Sequence, residues 1–137
     1  HLIKFSEEDP DMQLVRLAKE EEGVGISSGA HFAGLKSAML MQNHGFLASI
    51  NGIVSLAQLY RIPLLMIISY RGEMGETDPW QTEGGLRTES TLKALDIPYD
   101  IIDSADSVEK KINKAAVLSE SSERPVALLI TRDLMVE

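Results

Sequence analysis

The chain has 137 residues, the length of one ordinary domain, and 44% of them are hydrophobic, mostly aliphatic because only 5% are aromatic. Its formal net charge of −8 argues against a nucleic-acid or anionic-membrane partner, since both bind basic surfaces. No apolar run approaches the roughly 20 residues of a membrane span. The lack of cysteine excludes disulfides and thiolate ligands and fits a reducing compartment, so we expect a cytoplasmic protein.

Short apolar runs predict the strands of a sheet. Three of them begin at or just before a proline, at residues 62–68, 97–102 and 124–130. Proline is tolerated at the first residue of a strand. Residues 38–42 form a fourth run, and residues 13–17 form a weaker fifth. Their nearly continuous apolar character is typical of strands buried on both faces.

Helical patterns separate these runs. Residues 1–5 resemble the tail of a helix, and residues 20–34 predict a helix rich in small residues. Asp106 and Glu109 are placed to cap the last helix. Apolar residues at helical spacing mark the other helices: Leu47, Ile50, Ile53, Val54, Ala57 and Tyr60; then Leu86, Leu92 and Leu95; then Val108, Ile112, Ala115 and Ala116.

Strands that alternate with helices predict an α/β fold. We expect a three-layer sandwich in which a mostly parallel sheet carries helices on both faces, within a single domain at residues 1–137. Residues 69–85 read as one long irregular loop after the most hydrophobic strand. A loop of this length is usually functional or mobile, and ligands bind where parallel strands end.

Three segments carry polar groups that suit a ligand site. The first is residues 20–30, where three glutamates precede the small-residue helix; the alternative is an acidic first turn followed by a tight helix crossing. The second is Gln42-Asn43-His44 at a strand end, although a lone loop histidine is more often a surface residue. The third contains Arg71, which suits an anionic group but more commonly forms a salt bridge. Trp80, in the loop that follows, would either close over a ligand or anchor the loop.

These segments, in this order, resemble the alpha subunit of sulfopyruvate decarboxylase and the matching N-terminal region of phosphonopyruvate decarboxylase. The resemblance runs from about Leu14 to the C-terminus. It is carried by four motifs: Glu20-Glu21-Glu22-Gly23-Val24-Gly25-Ile26 with Gly29-Ala30, Met41-Gln42-Asn43-His44-Gly45 with Ser49-Ile50-Asn51, Ile62-Pro63-Leu64-Leu65 with Arg71-Gly72-Glu73, and Leu95-Asp96-Ile97-Pro98-Tyr99.

The resemblance implies a thiamine-diphosphate-binding fold in which this chain binds the pyrimidine ring of the cofactor. In that family a glutamate nine residues before the helix glycine contacts the pyrimidine, and Gly29 sets that register on Glu20. It implies cofactor contacts from Glu20, Asn43 and Gly45, catalysis by Glu20 and His44, and substrate contacts from Gln42, Asn43 and His44. We add Arg71 as a candidate for the anionic group of the substrate, on the basis of its charge.

The resemblance also implies partners. Mg²⁺ and the diphosphate would be held by a second, beta subunit, because the Gly-Asp-Gly segment of that subunit has no counterpart here and no metal-ligand cluster is present. We expect self-association across the pyrimidine-domain interface and a small 2-oxo acid as substrate. Sulfopyruvate, which would give sulfoacetaldehyde and CO₂, is the first choice; phosphonopyruvate or another 2-oxo acid is the second. A non-catalytic binding domain is the remaining alternative. His44 departs from the small, serine-like residue usual in the family, which bears on the choice of substrate.

Overall fold

Four parallel strands form one sheet in the computed structural model, which describes residues 2–136 and the side chains of residues 3–134. They are β1 (Ala38–Gln42), β2 (Leu64–Tyr70), β3 (Tyr99–Ile102) and β4 (Pro125–Thr131). Their order across the sheet is β1-β2-β4-β3, and every pairing is parallel. The four stronger apolar runs are therefore confirmed as strands.

Helices precede and connect the strands. The chain begins with α1 (Leu2–Glu8) and α2 (Glu20–Phe32), so both helices predicted there are confirmed, with His1 outside the described residues. Between β1 and β2 lie α3 (Asn43–Ala48), α4 (Ile50–Gly52) and a π-helical segment (Ile53–Gln58). The remaining elements are α5 (Pro79–Ala94), a 3₁₀ turn (Ala105–Ser107), α6 (Val108–Ser122) and α7 (Arg132–Val136).

The two faces of the sheet are covered by different helices. Successive side chains of a strand point to opposite faces. On one face, strand residues such as Met66 and Leu129 pack with Val24 of α2, Phe46 of α3 and Leu92 of α5. The other face packs against α6 through a second cluster, whose members are Ile67, Ile102, Ala115, Val126, Leu128 and Ile130. This arrangement is the three-layer α/β sandwich that the sequence predicts.

The weak fifth run does not form a strand. Residues 12–17 have no regular structure, and Met12, Val15 and Leu17 are exposed. Arg16 pairs with Glu7 of α1 instead. The prediction of a strand at residues 13–17 was wrong, because an apolar-rich run forms a strand only when a neighbouring strand accepts its backbone hydrogen bonds.

The long loop is shorter than predicted. β2 continues to Tyr70 and α5 begins at Pro79, which leaves residues 71–78 as the loop. The helix includes Gly84 and Gly85, which fall within the predicted loop. Proline suits the first turn of a helix, where its missing N–H has no intrahelical partner anyway.

Two helix details also differ from prediction. Ser107, and not Asp106 or Glu109, is the N-terminal cap of α6, and no side chain bonds the free amides there. In the helical stretch after β1, Ile53 and Ala57 are fully buried, but Tyr60 is exposed. The π-helical segment accounts for this, because its i→i+5 bonds make a wider turn and rotate later residues away from the predicted face.

Candidate active site

The polar segments meet at the carboxyl edge of the sheet. β1 and β2 run parallel and pair Gln42 with Ser69, so Asn43 and Arg71 follow adjacent strand ends. Helix α2 comes before β1, packs against α3, and brings its first residue, Glu20, to that edge. The fold therefore gathers the three predicted segments from α2, α3 and the loop 71–78.

The three glutamates at the start of α2 have different surroundings. The Glu20 carboxyl lies over Gly45, so closely that a Cβ on Gly45 would be 2.5 Å from Glu20 Oε1. Glu21 Oε1 accepts a hydrogen bond from Asn51 Nδ2 at 3.3 Å. Glu22 Oε2 accepts one from the Ala18 backbone N–H at 3.3 Å. Of the three, Glu20 is the one that reaches the first turn of α3.

Glu20 also differs from Glu21 and Glu22 in that its carboxyl has no hydrogen-bond or ion-pair partner among the described residues. Across residues 2–136, nothing donates a hydrogen bond to it and no cation pairs with it. Glu20 is half-buried, whereas Glu21 and Glu22 are exposed. A half-buried carboxyl without a partner is unusual, because polar groups taken from water normally find one. Its hydrogen-bonding capacity is therefore available to a ligand.

Asn43 joins the ends of β1 and β2. Its side chain is buried, with 1% of the residue exposed. Nδ2 donates to the Arg71 carbonyl at 3.0 Å, and Oδ1 accepts from the Arg71 N–H at 3.1 Å. Both polar atoms of the amide are thus engaged by one peptide backbone. Gln42, by contrast, is exposed and points to the face opposite Met41, away from α2.

His44 lies against helix α5. It is exposed, and the three atoms nearest to an added Cβ on Gly84 would all belong to its imidazole ring, the closest at 2.7 Å. His44 directly precedes Gly45, over which the Glu20 carboxyl lies. The structure therefore places the Glu20 carboxyl against Gly45 and the ring of the neighbouring His44 against α5, while the buried Asn43 holds the strand ends.

The loop 71–78 is organised around one carboxylate. Glu76 accepts from Arg71 Nε and Nη2, each at 2.7 Å, and from the backbone N–H groups of Gly72, Thr77 and Asp78 at 3.0–3.1 Å. The hydrogen bonds from Arg71, with those from the backbone, hold the pKa of Glu76 well below its usual range. Arg71 Nη2 also donates to Asp78 at 2.7 Å, and bonding to both acids raises the Arg71 pKa.

Sequence reasoning missed three residues that contact the site or the strands that carry it. Glu76 and Gly84 are two of them. The third is Glu89, which accepts hydrogen bonds from the hydroxyls of Tyr99 at 2.6 Å and Tyr70 at 2.9 Å. Those bonds lower the pKa of Glu89, while burial raises that of Tyr70. For Gly84 the signal was the Gly84-Gly85 pair, which is costly within a helix unless something approaches closely.

A cleft of about 410 Å³ lies beside this site and not at it. The loop residues 71–77 line it together with Tyr70, Arg132 and Asp133, whereas Glu20 and His44 do not. Burial, with help from Asp133, raises the pKa of Glu73 there. Trp80 is 69% exposed at the start of α5 and does not anchor the loop. Within the described residues, no group of three or more His, Asp or Glu is placed to hold a metal ion.

The fold and the site define a class: an α/β domain that presents an uncommitted glutamate, with a histidine close by, at the carboxyl edge of a parallel sheet. No helix in residues 2–136 is long and apolar enough to cross a membrane. No family model matches the chain. Among curated proteins it is similar to sulfopyruvate decarboxylase subunit alpha of Methanococcus maripaludis, with 40% identity over 94% of this chain and 77% of the relative.

The same protein of Methanocaldococcus jannaschii is also 40% identical, over 94% of this chain and 76% of the relative. This chain therefore belongs to the family of sulfopyruvate decarboxylase alpha subunits. The phosphonopyruvate decarboxylase of Streptomyces viridochromogenes is more distant, at 25% identity over 94% of this chain and 33% of that protein. The predicted resemblance is confirmed, and it is stronger to the sulfopyruvate enzymes.

Proposed function

We propose that this chain is the pyrimidine-binding subunit of a thiamine-diphosphate-dependent decarboxylase that converts sulfopyruvate to sulfoacetaldehyde and CO₂. The observation that carries the proposal is the Glu20 carboxyl, half-buried over Gly45 and without a partner among the described residues. A pyrimidine ring nitrogen is a partner that such a carboxyl would bind. Glu20 and the bare Cα of Gly45 therefore fit the cofactor's pyrimidine ring.

The chemistry divides between the cofactor and the protein. Thiamine diphosphate, when bound, supplies the nucleophilic carbon and accepts the electrons released with CO₂. Glu20 would hold the pyrimidine by a hydrogen bond and exchange a proton with its ring nitrogen. His44 would donate a ring N–H to an oxygen of the substrate, since imidazole offers such a donor at neutral pH. Asn43 would act by holding the β1 and β2 ends in register below these groups.

The anion site proposed at Arg71 already has carboxylate partners within the loop 71–78. Its Nε and Nη2 already bond Glu76 and Asp78. A sulfonate at this position would have to compete with two carboxylates that lie within hydrogen-bond distance. Gln42, on the opposite face of β1, would reach the substrate only from the end of the strand.

Partners are part of the proposal. The relatives are named as alpha subunits, and we propose a beta subunit that supplies Mg²⁺ and the diphosphate site. Exposed apolar side chains near the site support a covering partner: Ile26 on α2 is 47% exposed and Leu86 on α5 is 63% exposed. Cβ atoms at Gly25 and Gly29 of α2 would meet open space, which leaves room for a close approach, including self-association of pyrimidine domains. A cytoplasmic location also belongs to the proposal.

The test is decarboxylation of sulfopyruvate by this chain co-purified with its beta subunit, thiamine diphosphate and Mg²⁺. Glu20→Gln should lower kcat by about 10²–10⁴-fold, the usual contribution of a positioned acid–base group. Glu21→Gln is the matched control, because Glu21 bonds Asn51 and should leave kcat within a few-fold. Equal losses of kcat in Glu20→Gln and Glu21→Gln would show that Glu20 does not have the proposed acid–base role. Turnover of phosphonopyruvate in preference to sulfopyruvate would change the substrate, and a complex that binds no cofactor would favour the non-catalytic alternative.

A further inference from the structure

Gly84 lies in the middle of helix α5, where glycine is unfavourable. It is buried, and the three atoms nearest to an added Cβ would be His44 Cε1 at 2.7 Å, Nε2 at 2.8 Å and Nδ1 at 3.2 Å. A helix-interior glycine is less stable than alanine there, so its presence calls for a reason. At Gly84 that reason is a side chain, the imidazole ring of His44.

The adjacent glycine has a different reason. A Cβ on Gly85 would collide with the backbone carbonyl of Arg71 and with Gly72 Cα, which cannot move without displacing the loop 71–78. Gly85 is therefore required by the packing of the backbone. Gly85 is needed so that two segments of backbone can pack together. Gly84 is needed so that a side chain, the His44 ring, can fit.

The ring that Gly84 admits belongs to the chain neighbour of Gly45, the residue that the proposed catalytic acid contacts. His44 belongs to the first turn of α3, directly before Gly45, over which the Glu20 carboxyl lies. α3 packs against α5, so the surface of α5 limits where an imidazole on α3 can lie. A methyl group at position 84 would leave the backbone in place but push the ring out of its present position.

We propose that Gly84 is a positioning residue that holds the His44 imidazole against α5, and that the Gly84–His44 pair thereby sets how the anionic 2-oxo-acid substrate is oriented. This inference rests on the proposed function. The ring meets the substrate, whereas Gly84 acts only through the ring. A displacement of about 1 Å in an active site can reduce the rate about 10²-fold, so a single methyl group is enough to matter.

The experiment is a double-mutant cycle of Gly84→Ala and His44→Ser in the complex with the beta subunit. Gly84→Ala should fold normally, because the exposed ring can rotate away, and its Tm should equal or exceed that of the wild type because alanine favours the helix. Its kcat/KM should nevertheless fall about 10- to 100-fold. In the His44→Ser background, where no ring is present, Gly84→Ala should change kcat/KM by less than about twofold. Asn113→Ala, at an exposed position of α6, calibrates the gain in Tm from alanine in a helix.

The imidazole is observed directly by NMR of the chain. A nuclear Overhauser effect should connect the Gly84 Hα and His44 Hε1 protons, and Gly84→Ala should shift the His44 ring resonances. An unchanged kcat/KM in Gly84→Ala, or an equal loss in both backgrounds, would overturn the inference. If the wild-type complex decarboxylates no 2-oxo acid, the proposed function fails. The catalytic part of the inference then fails with it, and ring resonances that Gly84→Ala leaves unmoved would refute the contact as well.

Discussion

At the scale of single residues, Asn43 and Glu20 lie at the same sheet edge but differ in what their polar atoms contact. Asn43 uses both atoms of its amide on the Arg71 backbone, while the Glu20 carboxyl has no partner among the described residues. A buried polar group with all its bonds made fixes structure, whereas one that lacks them is available for chemistry. Residue type and position in the chain alone did not show which of the two side chains would have its polar atoms engaged.

Asn43→Ala should destabilise the chain. The substitution would leave the N–H and carbonyl of Arg71 without partners in a part-buried site, at a cost of about 1–3 kcal/mol in the free energy of unfolding. Urea denaturation followed by circular dichroism measures this. Asn113→Ala, at an exposed position of α6, is the control and should stay within about 0.5 kcal/mol of the wild type. Equal stabilities of Asn43→Ala and Asn113→Ala would contradict the bridging role.

Among elements, the loop 71–78 departs most from what the sequence suggested. It is held by one carboxylate, Glu76, whose side chain is only 3% exposed. Arg71 bonds to it from five residues away, and Arg132 Nη1 lies 3.5 Å from it at the start of α7. The salt-bridge alternative for Arg71 is thus the one the structure adopts. The excess of acidic residues predicted a carboxylate partner for Arg71, but it did not indicate which carboxylate.

Glu76 should make the stability of the chain depend on acidic pH. Its folded-state pKa is lowered, so its contribution is fully present above its ordinary pKa of 4.5 and is lost as pH falls from there toward the folded value. Glu76→Gln should therefore be less stable than the wild type at pH 7. The free energies of unfolding of the two proteins should converge as pH falls below about 4.

Urea denaturation at several pH values between 3 and 7 measures the convergence. Glu120→Gln, which removes an exposed ion pair with Lys36, is the control. Its free energy of unfolding should change with pH in the same way as that of the wild type. A difference between Glu76→Gln and the wild type that stays constant across this range would show that the Glu76 charge does not hold the loop.

At the scale of the whole molecule, stability comes from the apolar residues that the sheet presents to helices on two faces. β4 is central to this, because all seven of its residues are buried and the five from Val126 to Ile130 alternate between the two clusters. Each fully buried aliphatic side chain contributes about 1.5–3 kcal/mol. The nearly continuous apolar run that predicted this strand is the direct consequence of its burial on both faces.

Leu129→Ala should destabilise the chain by about 2–5 kcal/mol, because Leu129 is fully buried in the cluster beneath α2, α3 and α5 and its loss leaves a cavity. Thermal or urea unfolding measures the change. Leu59→Ala, at a position 67% exposed, removes the same atoms from the surface and should cost less than about 0.5 kcal/mol. Similar losses in the two variants would mean that Leu129 is not a core residue.

Local pattern along the chain was enough for the strands, most of the helices, the α/β class and the motifs that resemble the sulfopyruvate decarboxylase alpha subunits. These features depend on residues a few positions apart, whose spacing decides which face is apolar. Tertiary structure decided three other features: the partners of Arg71, the bridge made by Asn43, and the contact between His44 and Gly84. Asn43 and Arg71 are 28 positions apart and meet only because β1 and β2 are neighbours in the sheet. Such contacts are set by strand order and helix packing, which the periodicity of a single segment does not encode.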